Sequence, residues 1–218
     1  MIVLLGEFNG KSKVMPYLAK NSWGRMWASY GPTWSYDDEP WGFDNGAWSC
    51  YVKGRPFDVA KFKRRLATAL ERSVYPPVVA VVPDVVGNGL ATLAEAVKWR
   101  DELPSEWPWF LAVQDGCCVE RVRRELFHWE GIFLGGTDAF KRTAGLWCEL
   151  AHRHDKPFHF ARCNREAWIR NAIDIGADSI DTTRPVKEYS YGTQKGRSWF
   201  RRFEQLVTGN DRQQRLAI

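Results

Sequence analysis

The chain has 218 residues, 44% of them apolar, and a net charge of +5. That length suits one domain with a sizeable core, since single barrels run to about 200–250 residues. No stretch approaches the roughly 20 apolar residues of a membrane span, and the opening MIVLLGEFNGKSK lacks the basic segment of a signal peptide.

Residues 2–5 read as a first buried strand. Residues 20–40 hold Gly, Pro, Ser, Trp and Tyr with no period and read as a long loop, a type of segment that often carries function. A strand at 41–43 leads into Asp44-Asn45-Gly46, and 57–72 reads as a helix with Lys61, Lys63, Arg64 and Arg65 on its polar side. From residue 78 two textures alternate. Apolar runs at 78–83, 110–113, 132–134, 158–161 and 178–180 are separated by helical spacing at about 91–103, 119–127, 138–154 and 165–175. Runs apolar on both faces imply a parallel sheet, and the alternation implies βαβ units, hence a barrel or a doubly wound sheet. Seven strands can be named; the eighth has no obvious place, which leaves room for an irregular barrel. Residues 186–218 turn basic, and 196–207 read as a helix with Trp199, Phe200, Phe203 and Leu206 apolar. The expectation is an α/β, single-domain (β/α)8 TIM-type barrel over 1–185, with a basic C-terminal helix or tail at 186–218 docked on it.

The five cysteines (Cys50, Cys117, Cys118, Cys148 and Cys163) are odd in number and irregularly spaced, with no CxxC pair. They read as reduced thiols of a cytoplasmic protein, with no disulfide framework and no metal site. Trp23, Trp27, Trp34, Trp41, Trp48, Trp107 and Trp109 fall in polar or Pro/Gly-rich stretches, where tryptophans plug the mouth of a core or stack on bases. The positive balance leans toward phosphate-bearing partners.

Chemistry in a barrel sits where strands end. Those ends read Phe43-Asp44-Asn45-Gly46, Val82-Pro83-Asp84, Val113-Gln114-Asp115-Gly116, Leu134-Gly135-Gly136-Thr137, Phe160-Ala161-Arg162-Cys163-Asn164 and Ile180-Asp181-Thr182-Thr183-Arg184. One aspartate alone is often a helix cap, but several facing one mouth make a polar site. Carboxylates without metal-ligand spacing suit glycosidic chemistry, in which one stabilises or attacks the anomeric carbon and another handles protons. Gln114 and the glycine amides suit the edge of a flat heterocycle.

These residues resemble the tRNA-guanine transglycosylases. The segment from His159 to Pro185 is similar to that family's late βαβ unit, so Asp181 matches its nucleophile. Asp44-Asn45-Gly46 resembles its Asp-Ser-Gly motif, so Asp44 matches its proton-handling aspartate. Val113-Gln114 matches the base-recognising glutamine strand end, Gly135-Gly136 the glycine end whose backbone meets the base, and Asp84 the guanine-reading aspartate. The resemblance spans about residues 40–185. The cysteine–histidine zinc site of the tRNA enzymes has no counterpart after Asp181, and the chain is much shorter than they are. It looks more like the compact DNA-guanine transglycosylases, phage-encoded ones included, that put 7-deazaguanines into DNA. The resemblance implies nucleic acid, DNA more than tRNA, and a free 7-deazaguanine base as partners, with no cofactor. It also implies a covalent link from Asp181 to C1′, with Arg162 and Arg184 on phosphate. Three readings stand beside it: a nucleoside or DNA-base hydrolase, a tRNA-guanine transglycosylase, and a non-catalytic base-binding subunit. The oligomeric state is not legible.

Overall fold

The computed structural model describes residues 1–6, 14–27, 39–190 and 193–215. Eight parallel strands close into one barrel in sequence order: β1 (Ile2–Gly6), β2 (Gly24–Trp27), β3 (Trp41–Phe43), β4 (Val79–Val81), β5 (Trp109–Val113), β6 (Gly131–Leu134), β7 (Phe158–Phe160) and β8 (Ser179–Thr182). The seam joins β1 to β8, with Ile2 opposite Ser179 and Leu4 opposite Asp181. The protein is therefore the (β/α)8 barrel expected, and its ring is complete.

The missing strand is β2, inside the stretch that reads as a loop. Gly24-Arg25-Met26-Trp27 offers no apolar run, because a glycine and an arginine take half its positions. Arg25 is nevertheless buried, paired with Glu39 at 2.8 Å and laid over the Trp27 ring at 4.9 Å. The strand ending at Asp44 is consequently the third, not the second.

The helices are α1 (Met15–Asn21), α2 (Ala47–Val52), α3 (Val59–Arg72), α4 (Gly89–Trp99), α5 (Val119–Leu126), α6 (Asp138–Lys141), α7 (Ala144–His152), α8 (Glu166–Asp174), α9 (Arg184–Ser190) and α10 (Gln194–Arg215). Asp58 caps α3 by accepting from the Lys61 amide at 2.8 Å. The single helix expected over 138–154 is two, α6 and α7, separated by Arg142 and Thr143. The short α1 and α2 escape a sequence reading. Arg65 departs from the polar face assigned to it: it is buried, and its guanidinium donates to the Asp44 and Asn45 carbonyls at 2.8 and 3.1 Å. The C-terminal α10 docks near the start of the chain, with Phe203 edge-on to Trp23 and Glu204 bonded to Lys20 and Asn21. Among the described residues no helix is long and apolar enough to cross a membrane.

Two cores result. The outer one, between strands and helices, takes Trp23, Trp27, Trp41, Trp107 and Trp109, so packing claims five of the tryptophans weighed for base stacking. Trp34 lies outside the described residues, and Trp48 is left exposed. The inner core fills the barrel with Leu4, Met26, Val79, Val81, Phe110 and Ala112. It is tight: at Gly42 any side chain would run into Met26 and Leu4. Period-two alternation puts His159, Ser179 and Asp181 in the same interior, which gives a polar column beside the apolar plug.

Candidate active site

A cavity of about 510 Å³ opens where the strands end. Asp44 and Asn45 after β3, Asp84 after β4, Gln114 after β5, Gly135 and Gly136 after β6, Arg162 after β7 and Asp181 on β8 all line it. Two of the expected residues do not. Gly46, at φ 84°, serves as the N-cap of α2 and donates its amide to Asp44 Oδ1 at 2.7 Å. Arg184 sits on α9 with its guanidinium over Trp199 at 4.5 Å, bonded to the Asn164 carbonyl at 3.3 Å, so its cation serves the docking of α10.

Asp181 is buried and held from one side. Its Oδ1 receives the Arg162 amide at 2.9 Å and lies 3.0 Å from His159 Nε2, while Oδ2 takes no hydrogen bond from a described residue. His159 is wholly buried inside the barrel. Its Nδ1 is 2.8 Å from Ser179 Oγ, and its ring stacks on Phe133 at 4.9 Å and 4°. Arg162 reaches Asp181 with backbone in the left-handed region, φ 51°, a conformation costly for a residue with a side chain. The same residue lays its guanidinium over Trp48 at 3.9 Å and donates to the Gly136 carbonyl at 3.1 Å.

Asp84 is tied on both oxygens. Oδ1 accepts from Asn45 Nδ2 at 2.8 Å, and Oδ2 accepts from Gln114 Nε2 at 2.9 Å. Burial pushes its carboxyl up to about 6, with the charge of Asp44 adding to the effect and the Asn45 and Gln114 bonds opposing it. Asn45 also donates to the Val82 carbonyl and accepts from the Ala47 amide, while Gln114 also contacts Val85 O and Thr92 and accepts from the Gly87 amide at 2.7 Å. Their amide groups are thus committed to the protein, and they act on the cavity by fixing Asp84. Asp44 is raised by burial, and the nearby Asp181 charge adds to this against the opposing Gly46 bond. Five carboxyl groups therefore line one cavity, Asp44, Asp84, Asp115, Asp138 and Asp181, and the surroundings hold two of them, Asp44 and Asp84, toward the neutral form.

Sequence reasoning passes over two side chains here. His159 reads as strand filler, although its two-residue offset from the strand end at Ala161 marks it as inward-facing. Lys141 lies in a stretch that reads simply as helix, yet it is buried in the cavity wall with Nζ donating to the Ala161 carbonyl at 2.6 Å. Burial and the nearby Arg162 charge lower its pKa. Among the described residues no group of three His, Cys, Asp or Glu side chains is gathered to hold a metal ion. Compared with known proteins, the chain matches no family model and no curated protein sequence.

Chemically, the cavity offers a carboxylate with one fixed and one open oxygen, a second carboxyl able to take or give a proton, and a flat wall. That wall combines Asp84 with the Gly135 backbone, where a side chain would meet nothing closer than the Val113 carbonyl at 3.9 Å. Such a set is compatible with displacement at an anomeric carbon that bears a planar leaving group.

Proposed function

We propose that the protein is a base-exchange pentosyltransferase that replaces guanine in nucleic acid, DNA in preference to tRNA, with a 7-deazaguanine. The observation that carries this reading is the asymmetric hold on Asp181: Oδ1 is pinned by His159 and the Arg162 amide, Oδ2 takes no hydrogen bond from a described residue, and Asp44 lines the same cavity.

A flipped guanosine enters with its base against Asp84 and the Gly135-Gly136 backbone. Asp84, with a pKa near 6, exchanges a proton readily near neutrality and so can meet either a donor or an acceptor edge. Oδ2 of Asp181 forms a bond to C1′ as the C1′–N9 bond breaks, and guanine leaves with the bonding pair and takes a proton from solvent water. A 7-deazaguanine takes its place, Asp44 accepts its N9 proton, and N9 displaces the Asp181 ester. Two inversions return the original configuration at C1′. Once Oδ2 is esterified, Oδ1 becomes the ester carbonyl oxygen, and the His159 and Arg162 donors polarise it for departure.

The test is mass spectrometry of nucleosides from DNA and from tRNA after incubation with the protein and candidate 7-deazaguanines. Exchange is expected in DNA and should be lost, by about 10⁴-fold or more, in Asp181→Ala. Abasic sites in place of a new base would convert the reading to a base hydrolase. Exchange confined to tRNA would replace DNA as the substrate, and Asp181→Ala at wild-type rate would remove the mechanism.

A further inference from the structure

A second cavity, about 410 Å³, lies on the other side of α2 from the first. The two share Asn45. The six-residue α2 forms the partition between them: Trp48 and Tyr51, one turn apart, line the first cavity, whereas Ser49, Cys50 and Lys53 line the second.

The second cavity is electrically one-sided. Lys53, Arg55, Lys61 and Arg65 line it against a single carboxylate, Asp58, whose Oδ1 is already engaged in capping α3. Lys53, Arg55 and Lys61 form no ion pair with a described residue. Other surface cations are divided: Lys63 pairs with Glu102 at 2.6 Å, Arg123 with Glu120 at 2.9 Å and Arg170 with Glu166 at 2.7 Å, whereas Arg64, Arg72, Arg121 and Arg142 also form no ion pair with a described residue; what sets Lys53, Arg55 and Lys61 apart is that they line one concavity together. Gathering three cations around a concavity costs self-repulsion and focuses a positive potential there, which an anion relieves.

We infer that this second cavity is a subsite for a backbone phosphate of the polynucleotide strand whose target base occupies the first. The inference rests on the base-exchange reading. An isolated phosphate monoester would satisfy the same cations. A strand is favoured because the cavity adjoins the base pocket and because the partition carries an aromatic shelf. Trp48 and Tyr51 are 43% and 56% exposed, and they stack on each other at 5.6 Å on the rim of the base cavity. With Arg162 already over the Trp48 ring, Tyr51 is the exposed ring next to a flipped base that suits a neighbouring nucleobase, and the phosphate joining two such nucleotides then falls within reach of α2 and the α3 start.

The test is equilibrium binding of a fluorescein-labelled single-stranded DNA dodecamer across a salt series, which needs no turnover. The variant is Lys53→Ala/Arg55→Ala/Lys61→Ala; all three side chains are exposed, and the Asp58 cap of α3 uses the Lys61 backbone amide, so the fold is kept. The expected result is about tenfold weaker binding at low salt and a log–log salt slope flatter by about 0.7, the value for one lost phosphate contact on a single strand. The control Arg123→Ala/Arg124→Ala/Arg153→Ala, at paired sites on α5 and at the C-cap of α7, should leave the slope unchanged. An unchanged slope in the cavity variant overturns the subsite even if base exchange is real. The strand assignment is overturned if the cavity variant weakens a nucleoside monophosphate and leaves the dodecamer untouched. A wild-type protein that binds the dodecamer with the expected slope but exchanges no base leaves the subsite standing and removes the activity.

Discussion

Two aspartates on the cavity wall, Asp84 and Asp181, differ in how the protein holds them. Asp84 has a donor on each oxygen, Asn45 on one and Gln114 on the other, and is pushed toward neutrality by burial. Asp181 has both of its donors on one oxygen, and its other oxygen takes no hydrogen bond from a described residue. A carboxyl fixed from both sides presents a stable edge for recognition. One fixed from a single side keeps a lone pair aimed and available. The same side chain is thus suited to reading or to attack by its neighbours alone.

The comparison breaks most readily at Asp181. Asp181→Asn should keep nucleic-acid binding and lose exchange by about 10⁴-fold. Asp44→Asn should instead stall after the first displacement, so that a protein–DNA adduct survives denaturing electrophoresis. An equal block of both half-reactions in the two variants would erase the division of roles.

At Asp84 the effect appears in stability. Its carboxyl ionises near 3.8 when unfolded and near 6 in the fold, so folding takes up a proton between those values. Stability contributed by the neutral form is complete below pH 4 and lost as pH rises through 6, by about 3 kcal/mol in all. Urea titrations should therefore show the wild type losing ground to Asp84→Asn by roughly that amount between pH 4 and pH 7.5. A difference that stays flat with pH would show Asp84 ionised throughout.

His159 sharpens the contrast. His159→Phe keeps a ring against Phe133 but removes the donor, and should lower kcat by about 10²-fold with KM little changed. His159→Gln restores an N–H and should recover part of the loss. A wild-type kcat in His159→Phe would mark the imidazole as packing alone. The smallest effect is at Arg162: with φ at 51°, Arg162→Gly should be about 1 kcal/mol more stable than Arg162→Ala, read from thermal unfolding.

The second half of the barrel was legible because its strands are apolar on both sides and its helices keep their period. The first half hid β2, whose Gly24 and Arg25 break the apolar signal, and α2, whose Asp44-Asn45-Gly46 approach reads as a turn. At the site, the strand-end rule found Asp44, Asp84, Gln114, Gly135, Gly136, Arg162 and Asp181, since backbone direction alone brings those positions to one mouth. It could not assign hydrogen bonds. Gln114 and Asn45 look like base readers until their partners are seen, Arg65 looks like a surface cation, and Arg184 stands next to the right residues on the wrong side of the wall.

The seam between β1 and β8 sets when the site comes into being. Asp181 lies opposite Leu4, so its place is defined by pairing between the first residues of the chain and some of the last. Such distant pairings form late and slowly. A chain still emerging from the ribosome would hold Asp44 and Asp84 long before the strand that carries Asp181. Asp181 thus meets its partners only once the ring is shut, and the candidate site is withheld from every unfinished or opened form of the protein.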